Sequence, residues 1–161
     1  MEKVPSYRPC FFCGRENPHG FQLEFFAEGE EIRGEFQVPE RYCGYQGLIH
    51  GGIICGVLDE VMWWAVSWQR SCACLTVEMT VRYQSPTPID RRYRASAKVV
   101  RGKNRMMEVV SEIKDLTSGK VCVTGKGKYY LLARDRNRDA LASMDFSACS
   151  PQTRSRYEEG G

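Results

Sequence analysis

The stretch Gly47-Leu48-Ile49-His50-Gly51-Gly52 runs straight into apolar pairs at Ile53/Ile54, Val57/Leu58, Val61/Met62 and Ala65/Val66. Pairs recurring every four residues mark a helix with a wide apolar stripe. Two glycines at a helix start let a ligand approach the backbone closely. The unpaired N–H groups there, at the positive end of the helix dipole, suit a negative charge developing on a carbonyl oxygen. That is the donor arrangement of an oxyanion hole. The second chemical group is Asp59, an ionisable side chain between Leu58 and Val61 on an otherwise apolar helix. A charge confined in such a place is a better candidate for function than a solvated one on an exposed helical face. Asp59 lies just over two turns beyond Gly51, ~12 Å along the helix axis, too far for the two in one chain to grip the same atom. An aspartate from a second, antiparallel helix has the needed reach, which predicts a site shared across a dimer. Glu60 adjoins Asp59 and points about 100° away around the helix, to support the site or to face outward.

The elements that must position these groups follow from the change of period along the chain. Phe21, Leu23, Phe25 and Ala27 alternate with polar residues, as do Ile32, Gly34, Phe36 and Val38. Alternation with period two predicts two strands with one face inward, joined by a turn at Glu28-Gly29-Glu30. The helix comes next, widened on its apolar side by Cys55, Trp63, Trp64 and Trp68, so that it is buried on most sides. From Leu75 to Tyr83 alternation returns, and Pro86 and Pro88 end that strand. Three more strands are expected near 92–101, 106–115 and 120–132, with turns at Gly102-Lys103-Asn104 and Thr117-Ser118-Gly119. The order β-β-α-β-β-β-β, with one long helix and a largely antiparallel sheet, is α+β, and a sheet wrapped around a single buried helix is a hotdog. A single domain over residues 1–133 is expected, with an N-terminal extension over 1–20. From 134 to 161 the periodicity is lost, which predicts a flexible tail.

A chain of 161 residues, 42% of them hydrophobic, can bury one core and is too apolar for disorder. No apolar run approaches the ~20 residues needed to span a bilayer. The start Met-Glu-Lys-Val-Pro has no apolar signal core, so a cytoplasmic protein is expected. The eight cysteines then read as reduced thiols acting as small hydrophobes. Cys10 and Cys13 form a Cys-x-x-Cys pair and Cys72 and Cys74 a second close pair. A zinc site drawing on all four is disfavoured by the second spacing and by the lack of a nearby histidine, so no metal is expected. Residues 1–81 hold 6 basic and 11 acidic side chains, whereas 82–138 hold 15 basic and 5 acidic. A basic second half suits a polyanionic ligand, or else solvated strand edges.

The run Gly47 to Gly52 followed by Leu58-Asp59-Glu60 resembles the signature of hotdog thioesterases of the phenylacetate-pathway (PaaI-like) type. The resemblance extends to Cys13-Gly14, Asn17-Pro18-His19-Gly20, Leu75-Thr76-Val77-Glu78-Met79 and Tyr83-Gln84-Ser85-Pro86, and covers roughly residues 10–132. It implies an acyl-CoA thioesterase. The Gly51 N–H would polarise the thioester carbonyl, with Gly52 beside it, and His50 would shape the glycine turn and pocket. Asp59 of the partner subunit would be nucleophile or general base toward water, and Thr76 would supply a hydroxyl that helps position the water. Some members assist the carbonyl with an Asn or His several residues before the His-Gly-Gly. Here Tyr42-Cys43-Gly44-Tyr45-Gln46 offers only Gln46 as an amide donor. Arg82, Lys103, Arg105, Lys126 and Lys128 are candidates for the phosphates of coenzyme A, which enters as part of the substrate. No other cofactor is implied. The expected partners are acyl-CoA and further copies of the chain, as homodimer or homotetramer, with no nucleic acid and no membrane. His19 is expected to order a turn, and Trp63 and Trp64 to line the core or narrow an acyl tunnel. Two other functions compete: a hotdog dehydratase, disfavoured by the double glycine after His50, and a non-enzymatic acyl-CoA-binding module, disfavoured by the intact Asp59.

Overall fold

The computed structural model describes residues 1–160. Its elements are β1 (Glu2–Lys3), β2 (Ser6–Tyr7), β3 (Phe26–Glu28), β4 (Glu31–Phe36), α1 (Gly51–Arg70), β5 (Cys74–Tyr83), β6 (Tyr93–Lys103), β7 (Met106–Asp115), β8 (Val121–Leu131), α2 (Arg134–Ala142), β9 (Met144–Asp145) and α3 (Pro151–Gly160). Seven strands form one antiparallel sheet in the order β1-β3-β4-β6-β7-β8-β5, and β2 pairs separately with β9. The sheet curls around α1, and this is the hotdog architecture expected from the sequence. Among the described residues no helix is long and apolar enough to cross a membrane.

Burial follows the two periods. Helix α1 buries Ile54, Val57, Leu58, Val61, Met62, Trp64, Ala65, Val66 and Trp68. The sheet meets it with Tyr93, Ala95 and Ala97, then Met107, Val109 and Ile113, then Val123 and Tyr129. These are alternate positions on three neighbouring strands, as the pleat requires. Gly125 lets helix and sheet close up, because a Cβ there would lie 2.5 Å from Ser111 Oγ and 3.4 Å from Leu58 Cδ1.

Two segments differ from expectation. Phe21 to Phe25 is not strand, despite its alternation. Gln22 takes a left-handed φ of 52°, which interrupts an extended run. The N–H groups of Phe21 and Leu23 donate to the carbonyls of Phe11 and Phe12 at 2.9 and 2.8 Å instead of to a sheet neighbour. Only Phe26–Glu28 pairs with β4, across a two-residue turn whose Gly29 has φ 63°. Residues 134–160, expected as a flexible tail, instead form α2, β9 and α3. They are anchored by Asn137, Met144, Thr153 and Tyr157, all buried.

Candidate active site

The loop before α1 folds back on itself. Gly44 N–H donates to Leu48 O, and Leu48 N–H to Tyr45 O, around Gly47 with φ 75°. His50 ends the loop as the N-cap of α1. Its backbone N–H is held by Tyr42 O at 3.0 Å, and its Nδ1 accepts the Gly52 N–H at 2.9 Å. A side-chain acceptor at this position satisfies one of the helix's orphan donors. The N–H of Gly51 has no acceptor among the described residues, and Gly51 and Gly52 are both exposed. One open donor therefore sits at the positive end of a 20-residue helix. Gln46 is exposed on the loop that leads to it.

Gly51, Cys55 and Asp59 recur at four-residue spacing and share one face of α1. Strand β5 lies along that face. At one end Tyr83 donates its hydroxyl to Gly51 O at 2.7 Å. At the other, Thr76 Oγ1 donates to Asp59 Oδ1 at 2.8 Å. Tyr129 of β8 donates to the same carboxylate oxygen, also at 2.8 Å. It stands beside Thr76 because the two are ladder partners. Burial, followed by the Asp59 charge, pushes the Tyr129 phenol well above its ordinary range, so it remains a donor. Two hydroxyls thus fix Oδ1. Such an arrangement leaves Oδ2 to accept a proton from water or to attack a carbonyl carbon.

Glu60 does not face outward. It turns in toward the N-terminal segment, where Cys10 Sγ lies 3.4 Å from Oε2 and Trp64 Nε1 donates to Oε1 at 2.9 Å. Burial, with the neighbouring Cys10 charge, pushes its carboxyl up to about 8. Cys10 is held down, to about 5, by the Cys13 thiol, against burial. Cys13 is pushed above the usual thiol range, first by its hydrogen bond to Cys10 and then by burial. The grouping Cys10, Cys13 and Glu60 has ligand atoms within 4.8 Å of one another. Cys72 and Cys74 lie elsewhere: the Cys72 thiol bonds to Ala73 O and Leu132 O, and the Cys74 thiol to Trp63 O. The four cysteines therefore do not form one site.

The basic residues are not gathered at one mouth. Arg82 and Lys126, with Lys98, line a groove on the sheet. Lys103 lines another at the β6–β7 turn, beside Arg101. Arg105 stacks its guanidinium 4.8 Å from the Tyr130 ring centroid and donates to Leu131 O. Lys128 pairs with Glu78 at 2.8 Å. His19 is exposed in a turn: its N–H is held by Asn17 Oδ1 at 3.0 Å, and its carbonyl accepts from Tyr42 at 3.1 Å. Trp64 is fully buried, and Trp63 donates to Cys74 O at 2.8 Å. Sequence reasoning missed Tyr129 and Tyr83. Tyr129 reads as one alternating core position among several, and only the strand register brings it to Asp59. Tyr83 had a signal, its place at the end of the strand after the helix.

A sheet wrapped on a helix that carries an open N-terminal donor and a hydroxyl-held carboxylate defines a hotdog protein equipped for carbonyl chemistry. Residues 46–122 match the family model of the thioesterase superfamily. A curated relative, acyl-coenzyme A thioesterase 13 of Mus musculus, is 23% identical over 106 residues, which are 65% of this chain and 76% of that protein. A crystal structure of a thioesterase superfamily protein superposes with a TM-score of 0.71 at 26% identity. That match covers 76% of this chain but only 63% of the other's length. The E. coli PaaI protein from the phenylacetic acid degradation operon superposes with a TM-score of 0.65 at 16% identity, over 70% of this chain and 81% of that one. Over residues 46–122, just under half of its length, the chain is similar to the thioesterase superfamily, and its fold is that of the solved structures named above.

Proposed function

We propose that this protein hydrolyses an acyl-CoA thioester to the free acid and coenzyme A, in active sites shared between two copies of the chain. The observation that carries the reading is the Asp59 carboxylate, fixed through Oδ1 by Thr76 and Tyr129 on the helix whose first N–H, at Gly51, is open. The name of the mouse relative supports acyl-CoA as the substrate class. In one chain Gly51 and Asp59 stand about 12 Å apart along the helix, so the reacting carbon takes the Gly51 N–H from one copy and Asp59 from the other. Strand β5 is the edge of the sheet and exposes Leu75 and Val77, at 55% and 56%, next to Thr76. A long edge with apolar side chains favours pairing with another strand, and a second β5 laid against it brings the partner's helix start toward Asp59.

In the general-base form, Asp59 takes a proton from water and the hydroxide adds to the thioester carbon. The Gly51 N–H and the helix dipole stabilise the resulting oxyanion. The carbon–sulfur bond then breaks, and the thiolate of coenzyme A leaves and is protonated. In the nucleophilic form Asp59 adds to the carbon itself, and the carbon–sulfur bond breaks as the thiolate of coenzyme A leaves and is protonated. Water then hydrolyses the acyl–aspartyl anhydride to the free acid and the Asp59 carboxylate. Either form needs only water as co-reactant. Arg82, Lys98 and Lys126 form the basic group able to meet phosphates, so activity is expected to fall with added salt.

Thiol release from a panel of acyl-CoAs tests the reading. Wild type should turn over at least one of them, and Asp59→Asn should lose on the order of 10²–10⁴ in kcat. Tight acyl-CoA binding by wild type without thiol release would replace the enzyme with a binding module. Undiminished turnover by Asp59→Asn would remove Asp59 from the mechanism.

A further inference from the structure

The hydrolytic chemistry leaves unused a cluster where the N-terminal segment crosses α1. The sulfurs of Cys10 and Cys13 and a carboxylate oxygen of Glu60 lie within 4.8 Å of one another, with Cys10 Sγ and Glu60 Oε2 3.4 Å apart. In a tetrahedral zinc site, bond lengths of about 2.3 Å to sulfur and about 2.0–2.2 Å to oxygen put those two ligands about 3.5 Å apart. The cluster therefore needs little movement to close on an ion.

The surroundings are built for ligation. Cys10 to Gly14 form a tight turn in which Gly14 N–H donates to Cys10 O at 3.0 Å. A Cβ at Gly14 would lie 2.4 Å from Arg8 O and 2.5 Å from Cys10 N and O, so the turn requires glycine. Each sulfur accepts a backbone N–H at 3.3 Å, Cys10 from Phe12 and Cys13 from Tyr7. At Cys10 that bond favours the thiolate. The second oxygen of Glu60 is held by the Trp64 indole at 2.9 Å, which is how an outer contact orients a ligating carboxylate. Among the described residues no lysine or arginine pairs with Glu60. The three groups face one another with protons between them and no basic partner, and a divalent cation takes the place of those protons.

We propose that Cys10, Cys13 and Glu60 bind a thiophilic divalent cation, Zn²⁺ foremost, with a water in the fourth position. Binding displaces the thiol protons and ties the N-terminal segment to α1 one residue beyond Asp59. The segment already sits tightly there: a Cβ at Gly56 would lie 2.1 Å from the Phe12 ring. The ion is a structural clamp and takes no part in hydrolysis.

The test uses the full-length protein, untagged, reduced and loaded with Zn²⁺ or Co²⁺. Zinc should be retained at close to one ion per chain, and Co²⁺ should give thiolate-to-metal absorption. Cys10→Ser and Cys13→Ser should abolish that band, Glu60→Gln should weaken Co²⁺ binding by an order of magnitude or more, and Cys43→Ser at an exposed thiol should change nothing. Should the cysteine variants fail to fold, alkylation of wild type keeps the test open, because zinc should protect Cys10 and Cys13 while Cys43 still reacts. No retained metal and no thiolate band in the reduced protein would overturn the proposal. So would a band unchanged in Cys10→Ser, or zinc that leaves Cys10 and Cys13 as reactive as before. Metal content is read without substrate, so a negative result here leaves the thioesterase reading intact.

Discussion

The phenol of Tyr129 and the hydroxyl of Thr76 converge on one oxygen of Asp59, so the carboxylate is held in one orientation. Tyr129→Phe removes one of the two donors without changing the fill of the core. It should lower kcat on the order of 10-fold with little change in KM, and cost about 1–2 kcal/mol of stability, read by steady-state kinetics and urea unfolding. A fall in stability alone would reduce Tyr129 to a packing residue. A different carboxylate, Asp115, bears on acid stability. Burial alone would raise the Asp115 carboxyl. Hydrogen bonds from Arg91, Ser118 and the N–H of Thr117 outweigh that and hold it well below its ordinary 3.8. A depressed folded-state value means that the unfolded chain binds the proton first, so this stability is present above about pH 4 and is lost as pH falls through the folded value. Asp115→Asn should therefore be less stable than wild type at pH 7 and show a flatter loss between pH 5 and pH 2, measured by thermal unfolding. Asp59 was legible in the sequence because a charge interrupts an apolar helical stripe. Tyr129 was not, because its meaning depends on which residue stands across the ladder.

At the scale of elements, period decided most of what the sequence could reveal. The helix and the four strands after it fall where alternation and four-residue pairing put them. The failure at Phe21 to Phe25 is instructive, since its alternation is real but serves another purpose. Phe21 packs 5.5, 5.6 and 4.5 Å from the rings of Phe11, Phe12 and Tyr42, and its backbone bonds to the N-terminal segment. Periodicity reports which side chains turn inward, not which backbone they pair with. Strand β5 presents the opposite case, with Leu75 and Val77 apolar yet exposed on an unpaired edge. If this edge is the dimer contact, Leu75→Lys with Val77→Lys should convert a dimer to a monomer in analytical ultracentrifugation and abolish thiol release. Retention of the circular dichroism spectrum would separate lost assembly from lost folding. A double variant that stays dimeric and active would move the interface elsewhere.

At the scale of the molecule, the two termini support each other and the helix between them. Ser67 Oγ and the Tyr157 hydroxyl lie 3.2 Å apart, and Arg156 donates to Trp68 O at 3.0 Å with its guanidinium 4.6 Å from the Trp68 ring. Asn137 Oδ1 accepts the Ala73 N–H at 2.8 Å, just before β5. Strand β9 pairs with β2, so Tyr7, whose N–H holds Cys13, is itself held by Met144. None of this was visible as periodicity, because a few single anchors along a polar stretch make no stripe. Ending the chain at 133 should therefore do more than trim it. Losing the burial of Tyr157 and these hydrogen bonds should cost about 2–4 kcal/mol, lowering Tm on the order of 10 °C. The loss should spread to the N-terminal segment: amides of Tyr7 and Phe12 should exchange faster in the truncated chain, while those of β7, in the middle of the sheet, keep their protection. A truncated protein with an unchanged Tm and unchanged exchange at Tyr7 would mean that residues 134–160 rest on the domain without stabilising it.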